Sequence, residues 1–327
     1  MKWREIDLGD VSRYRGELMG AAIVFIILFH VPLARGDAFF GLRRCGNIGV
    51  DMFLFLSGVG LWYSWVRTPS FRQFYKRRLL RIFPTWLVIS TLYYASRFNW
   101  AAGDYLDLVL DITVNWGFWL HDEGTFWYVP AIMMLYLWAP LYMWLIARHR
   151  VLSWLPVLMI CWCCCVEWVI PIHQAVGHIE IFWSRVPIFF IGINFGELVR
   201  RKHQVEPAGR WLVWLALLMT AAACIYLEQV RHGRFPLFAE RMIYIPLTIS
   251  LILLLADLFH RIPQCGLRAL AFLGGLSLEI YLIHNQFVMQ HLLPYHLGYW
   301  PTALLTTLLT LPLAWLLQQV IKRIVRA

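Results

Sequence analysis

Charged residues are scarce in this chain: Asp, Glu, Lys and Arg make up 15% of its 327 residues, while 60% are hydrophobic. Soluble globular domains carry about 25% charged residues, so this composition excludes an ordinary soluble protein. The sequence also lacks internal repeats, low-complexity linkers and, after its first apolar run, a small-residue cleavage site of the signal-peptide type. We therefore expect one membrane domain over residues 1–327 that retains its first apolar run.

The seven cysteines do not predict a metal site. Four of them (Cys161 and residues 163–165) lie inside an apolar run, with no second thiol pair at zinc-ligand spacing. Buried free cysteines behave as small hydrophobic residues. The net charge of +10 does not indicate nucleic acid either, because the basic residues occupy short loops between apolar runs. We expect a lipid bilayer around the protein and no nucleic-acid partner.

Apolar runs long enough to cross a membrane recur along the chain. A transmembrane helix needs about 20 mostly apolar residues. Runs of this kind lie at 14–33, 47–66, 81–99, 126–146, 151–170, 181–199, 210–229, 237–258, 268–291 and 299–321. The sequence thus predicts an all-α, polytopic membrane protein with about ten transmembrane helices.

The basic residues predict the orientation of these spans. With the N-terminus inside, most of the 29 Lys and Arg residues fall in cytoplasmic segments, as the positive-inside rule requires. Both termini are therefore predicted to be cytoplasmic. The stretch 100–124 is too polar for an ordinary span, and we predict an amphipathic or re-entrant external segment there.

Ionisable residues inside predicted spans are the first functional candidates, because a charge within a membrane is costly. His30 ends the first span and Asp51 opens the second, so antiparallel packing would bring them to matching depth. An imidazole and a carboxylate so placed can act as a base and its orienting partner; Asp51 is alternatively a cap of its helix. Glu279 lies at mid-depth in the ninth span, and His284, five residues later, is offset from it by roughly 140° around the helix.

A second set of side chains is placed in the outer half of the membrane by this topology. They are polar or aromatic residues that would line a substrate chamber if they faced inward: Arg185, Arg241, Trp127, Tyr128 and His284. The structural alternative makes the two aromatic residues interface anchors and the two arginines ion-pair partners of Glu279.

The most basic stretch, FRQFYKRRLLRIFP at 71–84, is predicted to lie at the cytoplasmic face. Arg78 and Arg81 are three residues apart and share one face of a helix. Paired guanidinium groups suit phosphate recognition, although they are also ordinary positive-inside signals.

Six segments in chain order then form a recognisable pattern: FH at 29–30, GVDMFLFLSG at 49–58, FYKRRLLRIFP at 74–84, FWYVPAIMMLYLWAPL at 126–141, FWSRVPIFFIGINFG at 182–196 and LGGLSLEIYLIH at 273–284. Together they resemble the acyltransferase-3 family, multi-span membrane acyltransferases that modify bacterial cell-surface glycans and other acceptors.

The resemblance implies a ten-span enzyme of the bacterial cytoplasmic membrane. Such an enzyme transfers an acyl group, acetyl in the simplest case, from cytoplasmic acyl-coenzyme A to a hydroxyl of a cell-surface carbohydrate or related acceptor. It implies catalytic roles for His30, Asp51 and Glu279, and donor binding by Arg78 and Arg81.

One position departs from the family pattern. Many members carry an arginine eleven residues before the histidine, where this chain has Met19. Arg15 lies one helical turn further from His30, roughly 22 Å below it at 1.5 Å per residue. That distance excludes contact with the reacting centre, but Arg15 and Lys76 are candidates to bind the nucleotide end of the donor.

Acyl transfer to a hydroxyl needs a base and stabilisation of the tetrahedral oxyanion. Neutral imidazole, with a reference pKa of about 6.5, suits His30 as the base, and Asp51 would fix its tautomer. The sequence leaves two routes open, direct transfer and an acyl-histidine intermediate.

Two rival functions also stay open: a small-molecule exporter, for which broken helices and inverted repeats are typical, and a non-catalytic membrane sensor. Acceptor identity, acyl chain length and oligomeric state are not determined.

Overall fold

The structure, a computed structural model, describes residues 5–101, 103–121, 123–231 and 233–326. Almost all of these residues are helical. The helices are α1 (Gly9–Arg13), α2 (Arg15–His30), α3 (Phe40–Cys45), α4 (Ile48–Arg67), α5 (Phe71–Arg97), α6 (Tyr105–Val114), α7 (Trp116–His121), α8 (Tyr128–Arg148), α9 (Leu155–Trp168), α10 (Ile170–Val176), α11 (Glu180–Trp183), α12 (Val186–Arg200), α13 (Pro207–Val230), α14 (Leu237–Arg261), α15 (Gln264–Gly275), α16 (Ser277–Ile283), α17 (Gln290–Leu292) and α18 (Tyr299–Arg326).

Short irregular elements connect these helices. There are 3₁₀ turns at Arg150–Trp154, Gly177–Ile179 and Leu293–Tyr295, and a π-helical turn at His284–Met289. Within the described ranges, the only strands are β1 (Ile6–Asp7) and β2 (Gln204–Val205), which form one antiparallel pair.

In the part of the chain that the structure describes, six helices are long and apolar enough to cross a membrane, or eight if two bent helix pairs each form one span. Helices occupy all ten predicted positions, but α2 has only 16 residues, and α5 carries a basic N-terminal half. The prediction of an all-α membrane protein is therefore supported. The count of ten depends on including these two helices.

Helix α4 lies at the centre of the bundle and is buried along most of its length. Its most extensive pairing is with α12, and α2 packs on another of its faces. A methyl group on Gly58 or Gly192 would overlap a backbone carbonyl of the opposite helix, so α4 and α12 approach almost to backbone contact. This packing holds the first turn of α4 against the start of α12.

Both bent pairs break near ionisable residues. The axes of the helices flanking Ser184 and Arg185 differ by 42°, and those flanking Leu276 differ by 60°. Backbone irregularity at membrane depth is typical of binding sites, because it is tolerated only inside protein or along a cavity. The breaks place Arg185 at one irregularity and Glu279 just after the other.

Residues 100–124 contain two short helices, α6 and α7, with residues 102 and 122 outside the described part of the chain. Helix α6 has no buried residue, and apolar side chains such as Leu106 and Val109 are exposed on it. This exposure fits an amphipathic segment lying along a membrane surface, and its external location stays a prediction.

Three segments with predicted cytoplasmic locations meet at one end of the bundle. Strand β1 pairs with β2, which follows α12, and the Leu8 N–H donates to the His203 carbonyl at 3.0 Å. The Asp10 carboxylate lies 3.1 Å from His260 Nδ1 near the end of α14. The predicted topology requires these segments to share one side.

Candidate active site

Three adjacent cavities run along the inside of the helix bundle. The histidine cavity, about 230 Å³, is lined by Ile26, Phe29, His30, Arg44, Asn47, Val50, Trp127, Ile181, Leu237, Arg241 and Tyr281. The tyrosine cavity, about 60 Å³, is lined by Arg15, Met19, Phe53, Ser57, Arg81, Ile82, Tyr128, Ile132, Tyr136, Ser277, Leu278 and Tyr281. The glutamate cavity, about 270 Å³, is lined by Leu80, Arg81, Thr85, Gly275, Ser277, Leu278, Glu279, Gln318, Ile321, Lys322 and Val325.

These cavities share walls. Tyr281 borders both the histidine and the tyrosine cavities, and Arg81, Ser277 and Leu278 border both the tyrosine and the glutamate cavities. The series begins beside Lys322 near the C-terminus, which is predicted to be cytoplasmic, and ends at His30. A narrow middle section thus separates two larger spaces.

His30, the last residue of α2, is oriented by another imidazole. Its Nδ1 lies 2.8 Å from the Ile26 carbonyl oxygen and 3.2 Å from Nε2 of His284. Nδ1 of His284 in turn lies 2.9 Å from the carbonyl oxygens of both Ile280 and Tyr281. The π-helical turn that begins at His284 contributes this second histidine, and π turns are frequent at functional sites.

The partners of the two rings assign their tautomers. Carbonyl oxygens only accept hydrogen bonds, so Nδ1 of His284 carries the proton and its Nε2 is an acceptor. Nδ1 of His30 then donates to the Ile26 carbonyl and to His284. The lone pair on Nε2 of His30 is left unprotonated, as a general base requires, and Nε2 has no hydrogen-bond partner among the described residues.

The predicted pairing of Asp51 with His30 is wrong. Asp51 is buried in the first turn of α4, and its Oδ2 accepts a hydrogen bond of 3.2 Å from Nε of Arg185. Helix α12 packs so closely on α4 that Arg185, the residue preceding α12, reaches this carboxylate first. Asn47 rather than Asp51 occupies the cap position of α4, so the alternative capping role for Asp51 is not what the structure shows.

Arg185 connects Asp51 to a side chain of the histidine cavity. Its Nη2 donates to Oδ1 of Asn47 at 3.1 Å and its Nη1 to the Ile181 carbonyl at 3.1 Å. An amide that accepts through its oxygen presents its NH₂ group on the other side. Asn47 therefore offers Nδ2 as a donor, and Arg185, predicted to bind substrate, is committed to orienting it.

Trp127 and Tyr128 border different cavities. Trp127 lines the histidine cavity with the Arg185 guanidinium 5.1 Å from its ring centroid, whereas Tyr128 lines the tyrosine cavity. The Tyr128 N–H donates to the Tyr281 hydroxyl at 3.3 Å, and their rings stack edge to face at 5.3 Å. Both side chains face the interior, so they are not simple interface anchors.

Arg241 is buried at the histidine cavity, as predicted for a chamber residue. Its Nη1 lies 3.4 Å from Oε2 of Glu240, and its guanidinium carbon lies 5.0 Å from the Tyr244 ring centroid. Arg44 lines the same cavity and donates from Nε to Glu228 at 3.0 Å. Each arginine thus has a glutamate as its partner.

The alternative pairing of Glu279 with Arg185 or Arg241 is wrong. Glu279 is buried at the glutamate cavity, which also includes Arg81 and Lys322. The 140° offset around the helix explains this, because His284 points to His30 while Glu279 points into another cavity. Its predicted catalytic role is untested, and its position favours a role nearer the donor.

The predicted donor-binding residues fall into two groups. Arg15 and Arg81 both line the tyrosine cavity, together with Met19. Arg15 also donates from Nε to the Leu56 carbonyl at 3.2 Å. Arg15 lies one helical turn before Met19, and its longer side chain reaches the cavity that Met19 also borders.

Arg78 and Lys76 line none of the three cavities. The Arg78 guanidinium lies 6.0 Å from the ring centroid of Tyr136, which borders the tyrosine cavity. Lys76 is exposed on α5. Arg78 thus supports the cavity wall, and the structure does not place Lys76 beside the other predicted donor ligands.

Sequence reasoning missed Arg44, Asn47 and Tyr281. Arg44 looked like an ordinary loop arginine, and Tyr281 like one of many aromatic residues. Asn47 lies four residues before Asp51, one turn along the same helix face, and that spacing was the available signal.

In the part of the chain that the structure describes, no group of three or more His, Cys, Asp or Glu side chains is arranged to hold a metal.

Comparison with known proteins decides the family. The family model described as an acyltransferase domain, Acyl_transf_3, matches residues 20–319. The chain belongs to the acyltransferase-3 family. No curated protein and no solved structure matches it significantly. Membership in the acyltransferase-3 family, with the apolar helices, supports a multi-pass membrane acyltransferase, and the match includes His30, Asp51, Arg185 and Glu279.

Replacing His284 tests the assigned tautomer in this acyltransferase-3 protein. We expect His284→Phe to lower kcat about 10-fold or more with little change in KM, because His30 would lose one acceptor for its Nδ1 proton. His284→Gln, whose amide oxygen can accept, should retain more activity. Steady-state kinetics of both variants check this. Equal losses in the two, with melting temperatures unchanged, would contradict a hydrogen-bonding role.

Proposed function

We propose that this protein is an integral membrane O-acyltransferase of a bacterial cytoplasmic membrane, with ten spans and both termini in the cytoplasm. It transfers an acyl group, acetyl in the simplest case, from cytoplasmic acyl-coenzyme A to a hydroxyl of a cell-surface carbohydrate or related acceptor. The observation that carries the proposal is the series of three cavities that runs from Lys322 to His30. Family membership supplies the reaction class.

The donor enters from the end of the cavities where basic side chains form no ion pair with another described residue. Arg81, Arg15 and Lys322 face the glutamate and tyrosine cavities, and the donor's phosphates need such groups. The pantetheine arm is long and thin, which suits the narrow middle section. The thioester then reaches His30 while the nucleotide stays at the cytoplasmic end.

The acceptor hydroxyl enters the histidine cavity. Nε2 of His30 takes the hydroxyl proton as the oxygen forms a bond to the thioester carbonyl carbon. Nδ2 of Asn47, oriented by Arg185, donates to the oxyanion of the tetrahedral intermediate. Collapse breaks the carbon–sulfur bond, and the thiolate takes the proton from the imidazolium, giving coenzyme A and the ester.

Direct transfer needs no acyl-enzyme, and we favour it over acylation of His30. In the acyl-histidine route, Nε2 forms the bond to the acyl carbon and the carbon–sulfur bond breaks, releasing coenzyme A; the acceptor hydroxyl then displaces the acyl group from Nε2. Label from acetyl-coenzyme A that stays on the purified protein without acceptor would indicate the acyl-histidine route.

The exporter is the second candidate, and a specific observation favours it. The described part of the chain has two bent helix pairs, at Arg185 and before Ser277, and broken helices are typical of transporters. An exporter does not cleave acetyl-coenzyme A. Release of coenzyme A from acetyl-coenzyme A by protein in detergent, dependent on a cell-surface glycan extract, therefore supports the enzyme. Substrate flux through proteoliposomes without any release would support the exporter.

Removing Arg81 tests the donor site. We expect Arg81→Gln to raise KM for acetyl-coenzyme A about 10-fold or more, because a charge-assisted hydrogen bond to phosphate is lost. Arg15→Gln should act in the same direction. Arg77→Gln is the matched control, because Arg77 lies on the same helix but bonds only Gln73. An unchanged KM and an unchanged Kd for acetyl-coenzyme A in the Arg15, Arg81 double variant would refute this donor site.

A further inference from the structure

The charged side chains that line the histidine cavity are all cationic. Besides His30, its ionisable side chains are Arg44 and Arg241, and no carboxylate is among its described lining residues. The acidic partners, Glu228 and Glu240, are buried outside the lining, next to the two arginines. A ligand in this cavity therefore meets cations first.

Both arginines keep donors that the protein does not use. A guanidinium has five N–H donors. Arg44 donates only from Nε, to Glu228, and Arg241 has two side-chain partners, Glu240 at Nη1 and Tyr244. Among the described residues, both Nη atoms of Arg44 have no hydrogen-bond partner, and two partners leave part of the five donors of Arg241 unused. Arg241 is only 5% exposed, and leaving a buried cation with free donors is costly unless a ligand supplies acceptors.

Both guanidinium groups lie beside aromatic rings. The guanidinium of Arg44 lies 5.0 Å from the Phe29 ring centroid, and that of Arg241 lies 5.0 Å from the Tyr244 centroid. A planar guanidinium binds a planar acceptor through two parallel N–H donors. Carboxylate and phosphate are the groups with that geometry.

Stabilisation of the oxyanion does not explain both arginines. Asn47 already offers an oriented amide donor for that purpose, since Arg185 holds its oxygen. Two further cations in one cavity of about 230 Å³ exceed what a single developing negative charge needs. The N–H donors that remain unused fit a second anionic group on the substrate.

We propose that the acceptor carries an anionic group, a carboxylate or a phosphate, that binds Arg44 and Arg241 while the neighbouring hydroxyl meets His30. This inference rests on the proposed function for the identity of the acceptor. The substrate class is therefore an acidic sugar, a uronic acid or a sugar phosphate, rather than a neutral hexose. The small cavity takes that one acidic unit and its reacting hydroxyl.

Ligand binding without any acyl donor tests the inference. Isothermal titration of the purified full-length protein would compare methyl glucuronide, glucose 1-phosphate and methyl glucoside. We expect at least one anionic sugar to bind 10-fold or more tighter than the neutral sugar, and the two anionic sugars distinguish carboxylate from phosphate recognition. Equal affinities for all three, or no binding by any of them, would overturn the inference.

Substitutions near the histidine cavity test whether the preference for anionic sugars arises there. Replacing Glu240 and Arg241 together by glutamine removes one cation without leaving Glu240 unpaired, and should lower the anion preference several-fold; Arg44→Gln should lower it in the same direction. Glu228→Gln should strengthen anion binding several-fold, because it removes the carboxylate that partly neutralises Arg44. Arg97→Gln is the matched control, because Arg97 is exposed beside Tyr93 and lines none of the three cavities.

The outcomes separate this inference from the proposed function. Anion preference that survives both the double substitution and Arg44→Gln would overturn the site, whatever the protein catalyses. Anion preference that depends on these arginines, in a protein that never releases coenzyme A, would confirm the site and refute the acyltransferase. Melting temperatures of each variant identify losses caused by misfolding.

Discussion

His30→Ala is expected to lower kcat/KM for acyl transfer by about 10²–10⁴-fold, the range for loss of a general base. Among the described residues that line the histidine cavity, His30 is the only imidazole, and its Nε2 is unbonded, whereas the adjacent His284 uses both of its ring nitrogens. Alanine also leaves a space that water can fill, so a small residual rate should persist. Release of coenzyme A from acetyl-coenzyme A, with a saturating glycan extract, measures the effect.

Two comparisons make this result specific. His291→Ala is the matched control, because His291 is exposed and lines none of the three cavities, and its activity should equal that of the wild type. Acetyl-coenzyme A should still bind the His30 variant with unchanged Kd, because the predicted phosphate ligands line the tyrosine and glutamate cavities and not the histidine cavity. If His30→Ala kept its full activity, the base would have to be another group and the direct-transfer mechanism would be wrong.

Arg185→Met is expected to destabilise the protein strongly, by about 3–5 kcal/mol, the range for breaking a buried ion pair by removing one partner. Arg185 and Asp51 are each 1% exposed, and their bond of 3.2 Å joins α12 to the central helix α4. Loss of the arginine leaves Asp51 charged in an apolar interior and frees the amide of Asn47. Thermal unfolding in detergent and coenzyme A release measure the two consequences separately.

A second substitution tells stability from catalysis. Arg185→Met combined with Asp51→Leu removes both charges and should recover most of the lost stability, because well-packed apolar pairs replace buried ion pairs at little cost. Activity should stay low in this double variant, since Asn47 remains unoriented. Recovery of both properties would show that the ion pair serves the fold alone, and the proposed oxyanion donor would then be wrong.

Much of the site was predictable residue by residue. The apolar runs, the scarcity of charge and the helix period identify a helical membrane protein, because the bilayer demands long apolar helices whatever their tertiary arrangement. The cost of an ionisable group in a span then selects His30, Asp51 and Glu279. The family resemblance added the reaction class, and the family model confirms that membership over residues 20–319.

The partners of these residues were not predictable. Depth along a helix indicates that His30 and Asp51 are level, but it does not say which faces point together. The way α4 packs on α12 places Asp51 in an ion pair with Arg185. The π-helical turn places His284 within hydrogen-bond distance of His30. A local sequence pattern does not encode the angle at which two helices pack or the rotation that a break introduces.

The sequence by itself determined that this protein is an all-α membrane chain and which ionisable groups its apolar segments contain. Those properties follow from transfer free energies and helix geometry, which act on each segment separately. Only the tertiary structure decided that a histidine rather than a carboxylate orients His30, that Asp51 and Arg185 orient Asn47, and that Arg44 faces the same cavity as Arg241. Hydrogen bonds between side chains span a few ångströms, and which groups come within that distance is set by how all the helices pack at once.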